Sequence, residues 1–498
     1  MTVEAKKWTD RVIRQKEIDK YLINGKDFID ENEIRSKIEA NKNPDPKRIR
    51  DIIQKSLSIE RLSFDETAAL LNVTDNELLE EMYESAAEIK RRVYDNRMVF
   101  FAPLYCGNLC VNSCKYCGFR KENKEQIRKI LTFDEIRKET ECIIDEGHKR
   151  IMAVYGEHPK TDGDYIANSI REIYKVKRKA KSGKYASIRR VNVNAAPMCI
   201  EDLKKLKEVG IGTYQVFQET YNKDMYKYVH PSGPKSNYHW RLYSLHRAME
   251  AGVDDLAIGA LFGIYDWKFE VMGLLYHTAS LESQFGIGPH TISFPRMKLA
   301  SNSELSRSLK YAVNDAEFKK LVTVLRLSVP YTGLIITARE NEKIRSEVIN
   351  VGCTQLDAST KIGIGAYSEN KEKQDIEKEQ FMIGDTRSLD KVVEYLASIG
   401  KITSFCTAGY RCGRTGDKIM RLLKTGTEGK FCKLNAVLTF REYLDDYASE
   451  ETKQIGEKLI NKELHEISQM NFYKENKLLD AMDEYYNRIS KGERDLYI

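Results

Sequence analysis

The chain has 498 residues, with 81 lysines and arginines against 75 acidic residues, a net charge of +6, and 41% hydrophobic residues. This is the balance of an ordinary folded protein longer than one small core requires, with its basic residues dispersed among acids, so no nucleic-acid partner is implied. No run of about 18 apolar residues is present, and the opening MTVEAKKWTDR lacks a signal-peptide core, so a cytoplasmic protein without membrane contact is expected, its ten cysteines reduced rather than bridged.

Residues 1–97 are polar, with apolar residues three and four apart in LSFDETAALLNV and DNELLEEMYESAAEIKRRVY, which predicts an N-terminal helical layer. From Met98 the pattern changes. Apolar or β-branched runs recur at MVFFAPLY, RIMAVYGE, RRVNVNAAP, TYQVFQET, DLAIGALFG, HTISFPRM, GLIITAR and TQLDAS. Amphipathic stretches separate them, such as Phe133 to Glu146 behind a capping box of Thr132 and Glu135. Eight strands alternating with helices predict an α/β fold, a (β/α)8 TIM-type barrel over residues 98–365, with a helical C-terminal region over 366–498. A six-stranded partial barrel is the alternative. Barrels of this kind place chemistry at the C-terminal ends of their strands.

Just past the first strand comes NLCVNSCKYCGFR, residues 108–120, with Cys110, Cys114 and Cys117 spaced C-x3-C-x2-C. Three thiolates on so short a loop can hold three corners of a [4Fe–4S] cluster and leave the fourth iron open to a substrate. Tyr116 and Phe119 are placed to shield it. The alternatives are a structural zinc loop or three unrelated buried thiols. Zinc sites usually bring two C-x-x-C pairs or paired histidines, and neither is near.

This spacing, with an aromatic before the third cysteine, resembles that of the radical S-adenosylmethionine (SAM) enzymes, which implies a [4Fe–4S] cluster and SAM as cofactors and an anaerobic setting. On that resemblance Tyr155, Gly156 and Glu157 match the motif that receives the amino group of SAM, Arg241 suits its carboxylate, and Gly259–Gly263 resembles the backbone contact for adenine. Asn192 and Asn194 on the third strand, and Gln215, Gln218 and Glu219 on the fourth, add polar groups at successive strand ends. An inward Asn or Gln is often a satisfied barrel residue; their recurrence is what points to a site. The cofactor-binding set is therefore Tyr116, Tyr155, Gly156, Glu157, Asn194, Glu219 and Arg241.

The longer segments FAPLYCGNLCVNSCKYCGFR, YGEHP, RRVNVNAAP, GIGTYQVFQETY and GPHTISFPR resemble the aromatic amino acid lyase branch of these enzymes, over about Val99 to Tyr447. The likeness is to the tyrosine lyases of [FeFe]-hydrogenase maturation and of thiamine biosynthesis. It implies cleavage of tyrosine to p-cresol and dehydroglycine (2-iminoacetate), an electron donor such as flavodoxin or ferredoxin, and a maturation partner protein. Tyrosine and tryptophan lyases share this barrel. From a different class, an iron–sulfur scaffold or electron carrier is the competing reading. Arg339, after GLIITA, is the candidate for pairing with the substrate carboxylate, the alternative being a surface cation paired with Glu340.

The C-terminal portion SFCTAGYR…GKFC resembles the maturase branch, where C-x2-C-x22-C holds a second cluster that converts dehydroglycine to CO and cyanide. Here Cys406 and Cys432 stand at the first and third positions, but Gly409 stands at the second. Cys412, three residues on, could substitute only in a rearranged turn. Ser280 stands where the branch has a histidine, with His277 and His290 as the nearest in sequence. One cluster is expected and a second left open. Cys142, Cys199 and Cys353 read as buried thiols rather than ligands.

Overall fold

Parallel strands covered on both faces read as near-continuous apolar runs, and the eight runs of the sequence form eight such strands. They are β1 (Arg97–Gly107), β2 (Arg150–Tyr155), β3 (Arg190–Asn194), β4 (Tyr214–Gln215), β5 (Leu256–Gly259), β6 (Thr291–Ser293), β7 (Gly333–Ile336) and β8 (Gln355–Asp357). The computed structural model describes residues 3–369, 374 and 377–498. Each strand pairs in parallel with the next, and β8 returns to β1 in the register Val99↔Gln355 to Phe101↔Asp357. The barrel is thus closed with eight strands, which excludes the six-stranded alternative.

All eleven residues of β1 are buried, and it does more than close the barrel. A ninth strand, β9 (Ile402–Ser404), lies beside its first residues in the register Arg97↔Ile402 to Val99↔Ser404. The segment expected as an appended helical region therefore also extends the barrel sheet. Helix Thr427–Asp446 packs on β9 and carries helix Glu450–Gln469 on its outer side.

The N-terminal layer forms for local reasons. Ser63 and Glu66 make a reciprocal capping box at the start of helix Phe64–Asn72, and Asp75 caps helix Asn76–Tyr94 through the Leu78 N–H. Asp95, at φ +57°, stops the second helix two residues before β1. Both helices bury one face against the barrel helix Asp315–Ser328. Among the described residues no helix is long and apolar enough to cross a membrane.

Candidate functional site

At the C-terminal mouth of the barrel, the loop after β1 is drawn down onto the end of β2. The Val111 N–H donates to the Glu157 carbonyl at 2.8 Å, and the Gly156 N–H to that of Gly107 at 2.8 Å. Position 156 has room only for glycine, because a Cβ there would stand 2.4 Å from the Leu109 carbonyl oxygen. So held, Cys110, Cys114 and Cys117 line one cavity of about 220 Å³ together with Tyr116 and Phe119. Tyr116 is fixed by a 2.8 Å hydrogen bond between its hydroxyl and His230 Nε2.

The sulfurs have the surroundings of cluster ligands. Asn112 Nδ2 lies 3.5 Å from Cys110 Sγ, and Gln380 Nε2 and the Phe119 N–H lie 3.3 and 3.4 Å from Cys117 Sγ. Such donors stabilise thiolates and cluster sulfur. Burial pushes the Cys110 and Cys114 thiols up, so loading a metal group must release protons from them. Among the described residues no three His, Cys, Asp or Glu converge on a single-ion site. Three thiols lining one cavity are a donor set that fits a [4Fe–4S] group.

That remainder is ringed with charge. Glu157 accepts from Asn112 Nδ2 at 2.6 Å through one oxygen, while its other oxygen is buried without a partner, an acceptor available to an ammonium group. Glu219, at φ +72°, pairs with Lys235 Nζ at 2.7 Å and Arg241 Nη2 at 3.3 Å. Burial would raise its pKa, yet Lys235 and Arg241 hold it below the usual carboxylate range. Arg241 is further aligned by donating Nε to the Phe217 carbonyl at 2.6 Å.

Arg339 follows β7 and lines the same cavity, its guanidinium 3.2 Å above the Phe381 ring. The expected alternative, a pair with Glu340, is not formed: Glu340 is buried between Arg296 Nε at 3.1 Å and Lys298 Nζ at 3.0 Å. Among the described residues Arg339 has no carboxylate within ion-pair distance, so its fork faces the cavity unclaimed. Asn194 and Gln215 also line it, and Gln215 Nε2 is unpartnered. Asn192 does not; its Oδ1 accepts the Thr213 N–H at 3.0 Å, a purely structural bond. Gln218 is buried outside the lining. Tyr155 is at the cavity, but its hydroxyl turns away to Ser169 Oγ at 2.7 Å, which leaves the cavity its ring and backbone. Lys235 was not singled out in the sequence; it sits on a short 3-10 turn, Pro234–Ser236, that carries no motif.

The second cysteine group lies at the opposite, N-terminal end of the barrel. Cys406, at φ +48° just beyond β9, and Cys432, on helix Thr427–Asp446, line a shared small cavity. Its neighbour Cys432, opposed by burial and helped by Arg97, Arg150 and His290, holds the Cys406 thiol well below its ordinary range. His290 also pairs with Asp255, Nδ1 to Oδ1 at 3.1 Å. Ser280 has no place here. It bonds His246 Nε2 at 3.0 Å among the rings of Tyr21 and Phe28 in the outer layer, and His277 is bonded to Tyr221 at 2.9 Å. His290 is the histidine beside Cys406. Cys199 and Cys353 are buried and Cys142 half-buried.

Residues 104–272 match the Radical SAM superfamily, and residues 293–402 the Biotin and Thiamin Synthesis associated domain. The chain is 28% identical over 350 residues to 2-iminoacetate synthase of Salmonella typhimurium, covering 70% of this chain and 88% of that protein. The crystal structure of HydG, a maturase of the [FeFe]-hydrogenase, matches with a TM-score of 0.89 at 46% identity, over 95% of this chain and 100% of that one. HydG from Carboxydothermus hydrogenoformans matches with a TM-score of 0.77 at 36% identity, over 95% of this chain and 99% of that one. The three-cysteine loop and every charged residue of the cavity as far as Arg241 fall inside the first matched region, and the likeness to HydG extends over nearly the whole barrel and its C-terminal helices; the chain belongs to the radical SAM superfamily, in the group that includes HydG and 2-iminoacetate synthase.

Proposed function

We infer that the protein is a radical SAM carbon–carbon lyase that cleaves tyrosine to p-cresol and dehydroglycine. The observation that carries this reading is the unclaimed guanidinium of Arg339 in the cavity lined by the three cysteines, within a fold shared with HydG. Cys110, Cys114 and Cys117 would hold a [4Fe–4S] cluster, and Glu157, Asn194, Glu219 and Arg241 would hold SAM, which together supply a 5′-deoxyadenosyl radical when bound.

The protein's own part is binding and exclusion. Arg339 fixes an amino acid carboxylate through two parallel N–H donors, a geometry that lysine cannot reproduce. The apolar walls, Phe101, Met152, Val154 and Ile335, leave space for an aromatic ring and keep water from a reactive radical. Glu157, with one oxygen free, receives an ammonium. A one-electron donor of the flavodoxin or ferredoxin kind completes the requirement.

Anaerobic reconstitution with SAM and dithionite, followed by product analysis on tyrosine and tryptophan, tests the reading. p-Cresol and 5′-deoxyadenosine are expected, whereas indole products would assign the other substrate. An iron–sulfur scaffold or electron carrier would yield neither. The likeness to HydG supports a role linked to hydrogenase maturation. Supply of 2-iminoacetate for thiamine biosynthesis is the second reading, and Gly409 favours it, since dehydroglycine is then itself the product.

A further inference from the structure

We propose that the Cys406–Cys432 site holds no second iron–sulfur cluster, so that the protein carries one cluster and releases dehydroglycine unconverted. Four features of the site disagree with a cluster. First, among the described residues only two sulfurs line it: Cys412 closes helix Ala408–Arg411, donates its N–H to the Ala408 carbonyl at 3.0 Å, and is not part of the cavity wall. Two thiolates leave a cubane short of strong donors.

Second, the gap is one of chemistry and not of direction. A Cβ added at Gly409 would stand 3.6 Å from Glu428 Oε1, the same oxygen that accepts from Cys432 Sγ at 3.3 Å. A side chain at 409 would therefore enter the site beside Cys432, and glycine places nothing there. Third, Cys432, Glu428 and Arg414 are engaged with one another. Cys432 donates to Glu428, and Glu428 pairs with Arg414 at 3.2 Å. Fourth, the cavity encloses about 10 Å³, against about 220 Å³ at the cluster loop. That is room for roughly one water.

The consequence for the reaction rests on the tyrosine-lyase reading. Dehydroglycine leaves as a free imine, HN=CH–COO⁻. Water adds to its carbon and expels ammonia, leaving glyoxylate. A reaction that uses the imine must capture that carbon with a nucleophile before water does.

Iron and sulfide counting on the anaerobically reconstituted chain tests the inference without reference to substrate. One cluster means about four irons per chain in the parent and close to none in Cys114→Ala. The Cys406→Ser, Cys432→Ser double variant should keep the parent's iron and its single reduced EPR signal. About eight irons in the parent, or about four retained in a folded Cys114→Ala, would overturn it. If p-cresol is absent while the iron count is as expected, the substrate reading fails and the one-cluster inference stands.

Discussion

Replacing Arg339 by lysine keeps the positive charge at the cavity but removes the planar fork. The structure lets the cost to the fold be separated from the cost to binding. Arg339 makes no ion pair among the described residues and stacks on the Phe381 ring at 3.2 Å, so the variant loses a stacking contact worth about 0.5–2 kcal/mol. Binding loses more. A hydrogen bond to a charged group contributes about 1.5–3 kcal/mol, so giving up one arm of a bidentate pair should raise KM for tyrosine roughly ten- to hundredfold. On the proposed assignment SAM is held by other residues, so the SAM requirement should not move. Initial rates of p-cresol formation against tyrosine concentration, at saturating SAM, measure the split, and isothermal titration with SAM checks the second half. A variant with the parent's KM would refute the carboxylate assignment; one that loses tyrosine and SAM binding together would show a collapsed site.

Three further outcomes follow from the geometry. Gly156→Ala must move the Leu109 carbonyl by ~1 Å to admit a Cβ now 2.4 Å away, which should cost about 1–3 kcal/mol of stability and, by displacing the loop that carries Cys110, about a hundredfold in 5′-deoxyadenosine formation, read by thermal melts and by product assay. Cys114→Ala leaves two thiolates for three irons and should abolish 5′-deoxyadenosine formation altogether; retained turnover would remove the cluster from this loop. Glu270 is buried under the β4 end, where it accepts from the Thr220 hydroxyl and from the Tyr221 N–H at 2.8 Å, and burial pushes its pKa up to about 8. The unfolded chain releases this proton near the ordinary value while the folded one keeps it, so this group's stability contribution falls as pH rises from about 4.5 toward 8, by up to about 1.4 kcal/mol per unit. Glu270→Gln should flatten that slope in melts taken between pH 5 and 8; an unchanged slope would place the titration elsewhere.

The barrel was legible because its strands are buried on both faces, which leaves no ambiguity of period in runs such as RIMAVY and GLII. The cysteine loop was legible because ligand spacing is local. What failed to show were pairings made only in three dimensions. Lys235 reaches Glu219 across a turn of ordinary polar residues, and nothing in PKS marks it. Glu340 looked like the partner of its neighbour Arg339 until the fold brought Arg296 and Lys298 to it from another strand end. β9 is three residues long between helices, too short for any periodicity to register. Ser280 and His290 exchanged importance for the same reason: one lies in the outer layer and the other at a strand start, and chain order carries neither fact.

The double pairing of β1 also bears on how the molecule is made. Its first residues lie beside β8 on the one hand and β9 on the other, yet β9 leaves the ribosome only after ~300 more residues, roughly 15–60 s later at ordinary synthesis rates. Throughout that interval the nascent chain holds a long apolar strand, the one that leads directly into the cysteine loop, with its lower edge uncovered. Such an edge invites pairing with other chains. The N-terminal helices, already synthesised, touch its start where Lys90 Nζ lies 3.4 Å from Met98 Sδ. Yield in the cell should therefore depend on chaperone supply and growth temperature more steeply than the equilibrium stability of the finished protein would suggest.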